Sequence, residues 1–329
     1  MVSLSPLVDA HGREVRYLRL SVTDRCNLRC RYCMPESGVE PLAHDDILRL
    51  EEVLSLCESF TALGICKFKI TGGEPLVRWN AVSFIKKLKA MPGVEQVTIT
   101  TNGLELAQAL PDFQQCHLDG INLSLDTLDA ETFRQLTRRD GLDKALQALD
   151  LAAASNIPLK INCVPIQGVN DQELPRIAEL AREKVQAVRF IELMPIGLAA
   201  QYQGIPADRI REQLAAVFGP LREDNGKIGN GPAHYYAIEG FKGKIGFIDA
   251  LSHCFCQQCN RLRLTADGTL KLCLAHDNGV DLKTPLRAGA SKEELQTIIS
   301  EAVLNKPAHH AFSEHPEETE GKGMYRIGG

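Results

Sequence analysis

Cys26, Cys30 and Cys33 follow one another as C-x3-C-x2-C in the segment SVTDRCNLRCRYCMP. Thiolates this close can surround one compact inorganic centre. An iron–sulfur cube takes four thiolates, and this motif supplies three. The iron left without a protein thiolate can bind and activate a second molecule, by the same open-position logic that separates catalytic from structural zinc sites. A structural zinc ion is the competing occupant. It takes four ligands and usually pairs two knuckles, whereas the next cysteine here, Cys57, falls inside a helical pattern.

A second set, Cys256, Cys259 and Cys273, reads C-x2-C-x13-C. The first two fall on a loop. The third ends the return strand of an expected hairpin, which carries it back beside Cys259. Cys254 is a candidate fourth ligand for a closed zinc ribbon, although its distance from Cys256 is tight for a knuckle. Arg261 and Arg263 follow directly. Residues two apart on a strand share a face, and two guanidiniums there suit a phosphate chain held bidentately. A solvated basic edge is the alternative.

Strand-like and helix-like runs must position these groups. Strands are expected at Tyr17–Val22, Lys67–Thr71, Gln96–Thr100, Gly120–Ser124, Leu159–Val164 and Ala187–Ile191, with helical patterns between them, including Asp45–Leu63 and Gly141–Ser155. Repeated βα units imply a parallel sheet with right-handed crossovers. Strand ends are where such folds place chemistry. There the chain carries ITGGEP (70–75), TTNG (100–103) and NLSLD (122–126), a run of small, polar and glycine residues fit for a small-molecule site. Lys69, Lys160 and Arg189 lie on strands of the same rim, where a charge is costly unless it faces a cavity. After Glu192 the rhythm changes to a loop-like stretch, a helix at Asp208–Phe218, short strands near His234–Ile238 and Lys244–Ile248, the hairpin Arg261–Thr265/Thr269–Cys273, and a helix at Ser291–Leu304. The expected domains are residues 1–210 and 211–329. The polar tail EETEGKGMYRIGG reads as mobile.

The 329 residues are 44% hydrophobic and 24% charged, as in a globular protein, and the net charge of −5 argues against a general nucleic-acid binder. No apolar run reaches membrane-spanning length and the first residues carry no signal pattern, so a cytoplasmic location is expected. Eleven cysteines there should be reduced thiols or metal ligands. Of these, Cys57, Cys66, Cys116, Cys163 and Cys254 are expected as buried thiols. His309 and His310 are expected at a surface helix end.

The first triplet with Tyr32 before its last cysteine, followed by GGEP, resembles the radical S-adenosylmethionine (SAM) superfamily. More closely, LRLSVTDRCNLRCRYCMP, ITGGEPL, TTNG, INLSLD, RFIELM, CNRLRLTADGTLKLCL and the terminal YRIGG resemble, in order, the molybdenum cofactor biosynthesis protein A family of GTP 3′,8-cyclases. The resemblance spans nearly the whole chain. It implies an α/β fold, a partial (β/α)6 TIM-like barrel over 1–210, with a C-terminal extension over 211–329 that carries a second iron–sulfur cluster. It implies two [4Fe–4S] clusters, on Cys26, Cys30 and Cys33 and on Cys256, Cys259 and Cys273, with SAM at Tyr32, Gly73, Ser124 and Met194. GTP would be held by Arg19, Lys69, Thr100, Lys160, Arg261, Leu262 and Arg263, with Arg189 a weaker addition. The family's pattern often has Arg where this chain has Lys69. The implied chemistry is a 5′-deoxyadenosyl radical taking hydrogen from the ribose 3′ carbon, which then attacks C8 of guanine. The product would pass to cyclic pyranopterin monophosphate synthase. The electron donor is not implied, a homodimer is compatible, and YRIGG would reach into the active site. The competing functions are a peptide-modifying radical enzyme with an auxiliary cluster and a zinc-binding module without chemistry.

Overall fold

The computed structural model describes residues 6–226, 228–310, 312 and 323–328. The chain divides into two compact units, one of Met1–Asn27, Val39–Ile99 and Cys256–Gly329, the other of Leu28–Gly38 and Thr100–Phe255. Neither unit is a continuous stretch of sequence.

In the first unit, β1 (Tyr17–Ser21), β2 (Lys67–Thr71) and most of β3 (Gln96–Thr101) run parallel. Helix α1 (Leu50–Ala62) joins the first pair and α2 (Ala81–Lys89) the second. In the second unit, α3 (Leu106–Gln115) precedes β4 (Gly120–Ser124). Helices α4 (Ala130–Thr137) and α5 (Leu142–Ala153) lead to β5 (Leu159–Cys163), and α6 (Leu174–Glu183) leads to β6 (Ala187–Ile191). β4, β5 and β6 are also parallel. Helix α7 (Ala207–Phe218) is followed by β7 (Arg222–Asp224), β8 (His234–Ala237) and β9 (Lys244–Ile248). β9 adds parallel to β6. Back in the first unit, β10 (Arg261–Leu264) joins β1 in parallel, and β11 (Thr269–Lys271) and β12 (Val280–Asp281) extend it antiparallel. Helices α8 (Lys283–Arg287), α9 (Lys292–Leu304) and the short α10 (Met324–Ile327) follow.

Successive side chains on a strand face opposite ways, so the apolar positions that face the core recur at every second residue. Leu18, Leu20, Phe68, Ile70, Val97 and Ile99 are all buried, and α1 packs against α2 and α9. α1 starts at Leu50, not Asp45, because the Arg49 backbone is extended (φ −68°, ψ 151°) and its N–H donates to Glu52 Oε2 at 2.7 Å. Burial alone would raise the Glu52 carboxyl. Arg287 and Arg49 overcome that and bring it to about 2. α9 starts as expected on a capping box, Ser291 with Glu294.

The composition of the tail suggested mobility, but its described part, 323–328, is ordered against the sheet. Ile327 is buried, and the Gly328 carbonyl accepts a hydrogen bond from Arg263 Nη1. Gly329 and residues 313–322 lie outside the described residues. Among the described residues no helix is long and apolar enough to cross a membrane.

Candidate active site and its two cysteine triplets

The loop after β1 leads into the first triplet. Its opening, Thr23–Arg25, is backed by the glycine turn after β2. The Gly73 N–H donates to the Thr23 carbonyl at 2.7 Å and Glu74 N–H to that of Arg25 at 2.8 Å. A Cβ on Gly73 would stand 2.3 Å from the Arg25 carbonyl oxygen, and one on Gly72 2.6 Å from that of Thr23. The approach of backbone to backbone, not an unusual φ, demands glycine here. Gly73→Ala should push the turn off the segment that delivers Cys26. The expected cost is about 1–3 kcal/mol of stability, read as a lower Tm of the metal-free protein, together with weaker SAM binding.

Cys26, Cys30 and Cys33 are half-buried, and none forms a disulfide. Cys30 and Cys33 share a tight turn in which the N–H groups of Cys33 and Met34 both donate to the Cys30 carbonyl at 2.9 Å. The C-terminal end of α4 anchors that turn. Arg29 and Arg31 N–H donate to the carbonyls of Thr137 and Leu136, and Arg138 Nη1 reaches those of Arg29 and Met34, each at 3.1 Å. Arg138 is held at φ 54°, in the left-handed region. Tyr32 donates its hydroxyl to Asp126 Oδ2 at 2.6 Å, and Asp126 Oδ1 accepts from the Val164 N–H at 2.8 Å. Burial raises both groups, Asp126 in spite of these bonds. The ring of Tyr32 is thereby fixed to the loop after β4. Ser124 ends β4, and Met194 is half-buried in the loop after β6.

The sheet of the first unit carries a row of cations. Arg263 pairs in register with Arg19, Arg19 with Lys69, and Arg263 on its other side with Lys271. Register partners share a face, so four cationic side chains leave the sheet together. Arg261 lies two residues before Arg263 on the same face. Arg263 and Lys271 are buried. Burial first, then Arg19 and Arg261, hold the Arg263 guanidinium well below its ordinary range. Such a row suits a polyanion. Leu262 turns to the opposite face and is fully buried in the core, leaving only its backbone for a ligand.

In the second unit, the mid-strand charges have polar company. Arg189 donates to Asn122 Oδ1 and Asn162 Oδ1, at 2.5 and 2.6 Å. Lys160, brought down to about 8 by burial and then by Arg189, lies beside the 228–231 loop with its ammonium 3.5 Å from the Ile228 carbonyl. Thr100 is half-buried within β3.

The hairpin of β10 and β11 returns Cys273 toward Cys259. Lys306 acts electrostatically on both thiols. Burial would raise the Cys259 thiol, but Arg261 and Lys306 prevail and bring it to about 7. Cys256, Cys259 and Cys273 are half-buried, and none forms a disulfide. Cys254, the candidate fourth ligand, is exposed, and Cys116 is only half-buried, so two of the expected buried thiols are not. His310 does not sit at a surface helix end. It lies in the loop beyond α9, with one ring nitrogen within 4.8 Å of Cys256 Sγ and both ring nitrogens buried without a hydrogen-bond partner.

Residues 20–181 match the radical SAM superfamily, and residues 186–312 the Molybdenum Cofactor Synthesis C family. A GTP 3′,8-cyclase of Moorella thermoacetica is 44% identical over 326 residues, covering 98% of this chain and 99% of that one. One from Clostridium perfringens is 40% identical over 321 residues, with coverages of 98% and 99%. The chain belongs to the GTP 3′,8-cyclase family of radical SAM enzymes. Among solved structures, SuiB of Streptococcus suis bound to the precursor peptide SuiA superposes with a TM-score of 0.64 at 13% identity. It covers 96% of this chain and 72% of that chain, a likeness of fold. The fold is thus the mixed α/β, parallel-strand fold of radical SAM enzymes with a C-terminal extension.

Family membership implies a [4Fe–4S] cluster and SAM. The half-buried thiols of the first loop, outside any disulfide and with a glycine turn that admits no Cβ behind it, fit that group. Sequence reasoning missed Asp126 as the partner of Tyr32, Arg138 as the anchor of the cysteine turn, and Lys271 in the cation row. Lys271 had a faint signal: on an antiparallel hairpin turning at ADG, it falls opposite Arg263.

Proposed function

We propose that this chain is a cytoplasmic enzyme of molybdenum cofactor biosynthesis. It converts GTP to (8S)-3′,8-cyclo-7,8-dihydroguanosine 5′-triphosphate, using SAM and two [4Fe–4S] clusters. The observation that carries the substrate assignment is the cation row Lys69, Arg19 and Arg263, with Arg261 beside it. A peptide offers no use for that density of charge on one sheet face, whereas a triphosphate requires it.

Residues 1–210 would bind SAM and residues 211–329 would carry the second cluster. When bound, the clusters and SAM supply one-electron chemistry and a carbon radical that the polypeptide cannot make by itself. The polypeptide binds and aims. Cys26, Cys30 and Cys33 would hold the first cluster, and Cys256, Cys259 and Cys273 the second, whose open iron would take the guanine. The second triplet's chemistry fits: its thiols form no disulfide, and cations favour the thiolate at Cys259. Tyr32, Gly73, Ser124 and Met194 would line SAM. Arg19, Lys69, Arg261 and Arg263 would grip the triphosphate, with Thr100, Lys160 and the Leu262 backbone completing the contacts. Fixing GTP at base and phosphates leaves the ribose little freedom, which converts binding energy into orientation. The product would then serve cyclic pyranopterin monophosphate synthase.

Anaerobic incubation with GTP, SAM and dithionite tests this. Mass analysis should find 5′-deoxyadenosine together with a cyclised triphosphate of unchanged mass relative to GTP. SAM cleavage with no change in GTP would refute it.

Lys160 gives a pH signature. Its ammonium must be charged to meet a phosphate, and in the ligand-free protein it discharges at about 8. GTP affinity should therefore fall as pH rises through 8 to 9. Lys160→Met should bind more weakly at pH 7 and lose this part of the dependence, as equilibrium dialysis would show.

A further inference from the structure

Lys306 is 3% exposed. Its ammonium donates to the Arg261 carbonyl at 3.0 Å and to the Leu272 carbonyl. Arg261 lies two residues past Cys259, and Leu272 immediately precedes Cys273. One ammonium thus bridges the chain segments that bear two of the three thiols. The third is held through Arg13. Its guanidinium donates to the Cys256 carbonyl at 2.8 Å and to the carbonyls of Lys306, Pro307 and Ala308 at 3.3, 2.7 and 3.1 Å. Asp9 orients Arg13, Oδ2 to Nε, at 2.5 Å.

Among the described residues no carboxylate pairs with Lys306. A buried lysine without an anion is costly, and the two carbonyls engage two of its three N–H groups while leaving its charge uncompensated. Its two acceptors flank Cys259 and Cys273, so an anionic centre held by those residues would compensate it. Three thiolates around an oxidised [4Fe–4S] core carry a net charge of about −1, which one-electron reduction takes to about −2. A fixed cation in a water-poor site favours the reduced form.

We propose that Lys306 is a positioning residue for the second cluster: it holds Cys259 and Cys273 at ligating separation, and its charge stabilises the cluster's reduced state. The inference rests on the two-cluster reading above.

The test uses the full chain with Cys26, Cys30 and Cys33 all replaced by Ala, so that only the second triplet can bind iron. After anaerobic reconstitution this parent should hold about four irons and show the electron paramagnetic signal of a reduced cube with dithionite. Lys306→Gln can still donate two N–H groups to the two carbonyls but carries no charge. It should fold and keep its iron, yet its midpoint potential in an EPR-monitored titration should move to more negative values. Lys306→Met should lose both functions and yield iron to a chelator about 10–100-fold faster. Lys306→Arg should return the potential toward that of the parent. If Lys306→Gln keeps the parental potential, the charge assignment is overturned whether or not Lys306→Met folds. If Lys306→Met also keeps the parental chelation rate, the positioning role falls too. A parent that binds zinc or no metal instead removes the two-cluster reading itself, and is distinguishable because it precedes any change at Lys306.

Discussion

Cys26→Ala is expected to leave SAM intact in the presence of dithionite, with 5′-deoxyadenosine at the level of a protein-free control. Three thiolates are the smallest set that holds a cube and still leaves one iron for SAM. Removing one leaves two, and no other cysteine lies nearby in the sequence to replace it, since the next is Cys57, a buried thiol within α1 that burial drives far above its ordinary range. A thiol that resists ionisation is a poor iron ligand. The loss should therefore be of the whole reaction and not a change in KM. Cys273→Ala makes the contrasting case. With the first triplet intact, SAM should still be cleaved slowly while GTP is not cyclised. Equal loss of SAM cleavage in both variants would mean that the two triplets do not have separate functions, and the division of labour between residues 1–210 and 211–329 would have to be abandoned.

The parts of the fold legible in the sequence were those governed by local pattern. Lys67–Thr71, Gly120–Ser124 and Ala187–Ile191 have the strand bounds expected of them, because buried apolar residues recur along each run (Phe68 and Ile70, Ile121 and Leu123, Val188 and Phe190), which ends where the polar rim begins. Lys69, Lys160 and Arg189 could be read as rim residues because a charge within a strand is costly unless it faces a cavity, whereas Arg19 was indicated only by the family resemblance. What spacing could not reveal is contact between distant segments. Lys306 looks like an ordinary residue after a surface helix, and its meaning comes from carbonyls 45 and 34 residues away. His310 was misplaced for the same reason, since nothing local to NKPAHH points to Cys256. The start of α1 failed differently. Acidic residues at 45 and 46 mimic a first helical turn, but the capping box formed by Arg49 and Glu52 sets the boundary. Motif order named the candidate ligands, whereas the contacts that hold their loops emerged only from hydrogen-bond geometry.

Replacing Arg261 and Arg263 together should separate radical generation from its use. Each guanidinium in a charge-assisted contact with phosphate is worth about 1.5–3 kcal/mol. The pair should therefore cost about 3–6 kcal/mol, or about 10²–10⁴ in kcat/KM for GTP. Cleavage of SAM without GTP turnover should persist, because neither arginine belongs to the first triplet or to the Tyr32–Asp126 pair. Arg263 also burdens the ligand-free protein. The depressed Arg263 guanidinium means that its charged form is less favourable in the folded chain than in the unfolded one, through burial first and then repulsion from Arg19 and Arg261. At neutral pH that charge destabilises the fold until an anion arrives. Arg263→Met should consequently raise the Tm of ligand-free protein, or leave it unchanged despite losing the bond to the Gly328 carbonyl, while GTP no longer adds to it. The parent should gain stability with GTP in proportion to ligand concentration. A fall in ligand-free Tm with an intact GTP-dependent rise would show that Arg263 serves the fold and not the triphosphate, and the substrate cage would then rest on Arg19, Lys69 and Arg261 alone.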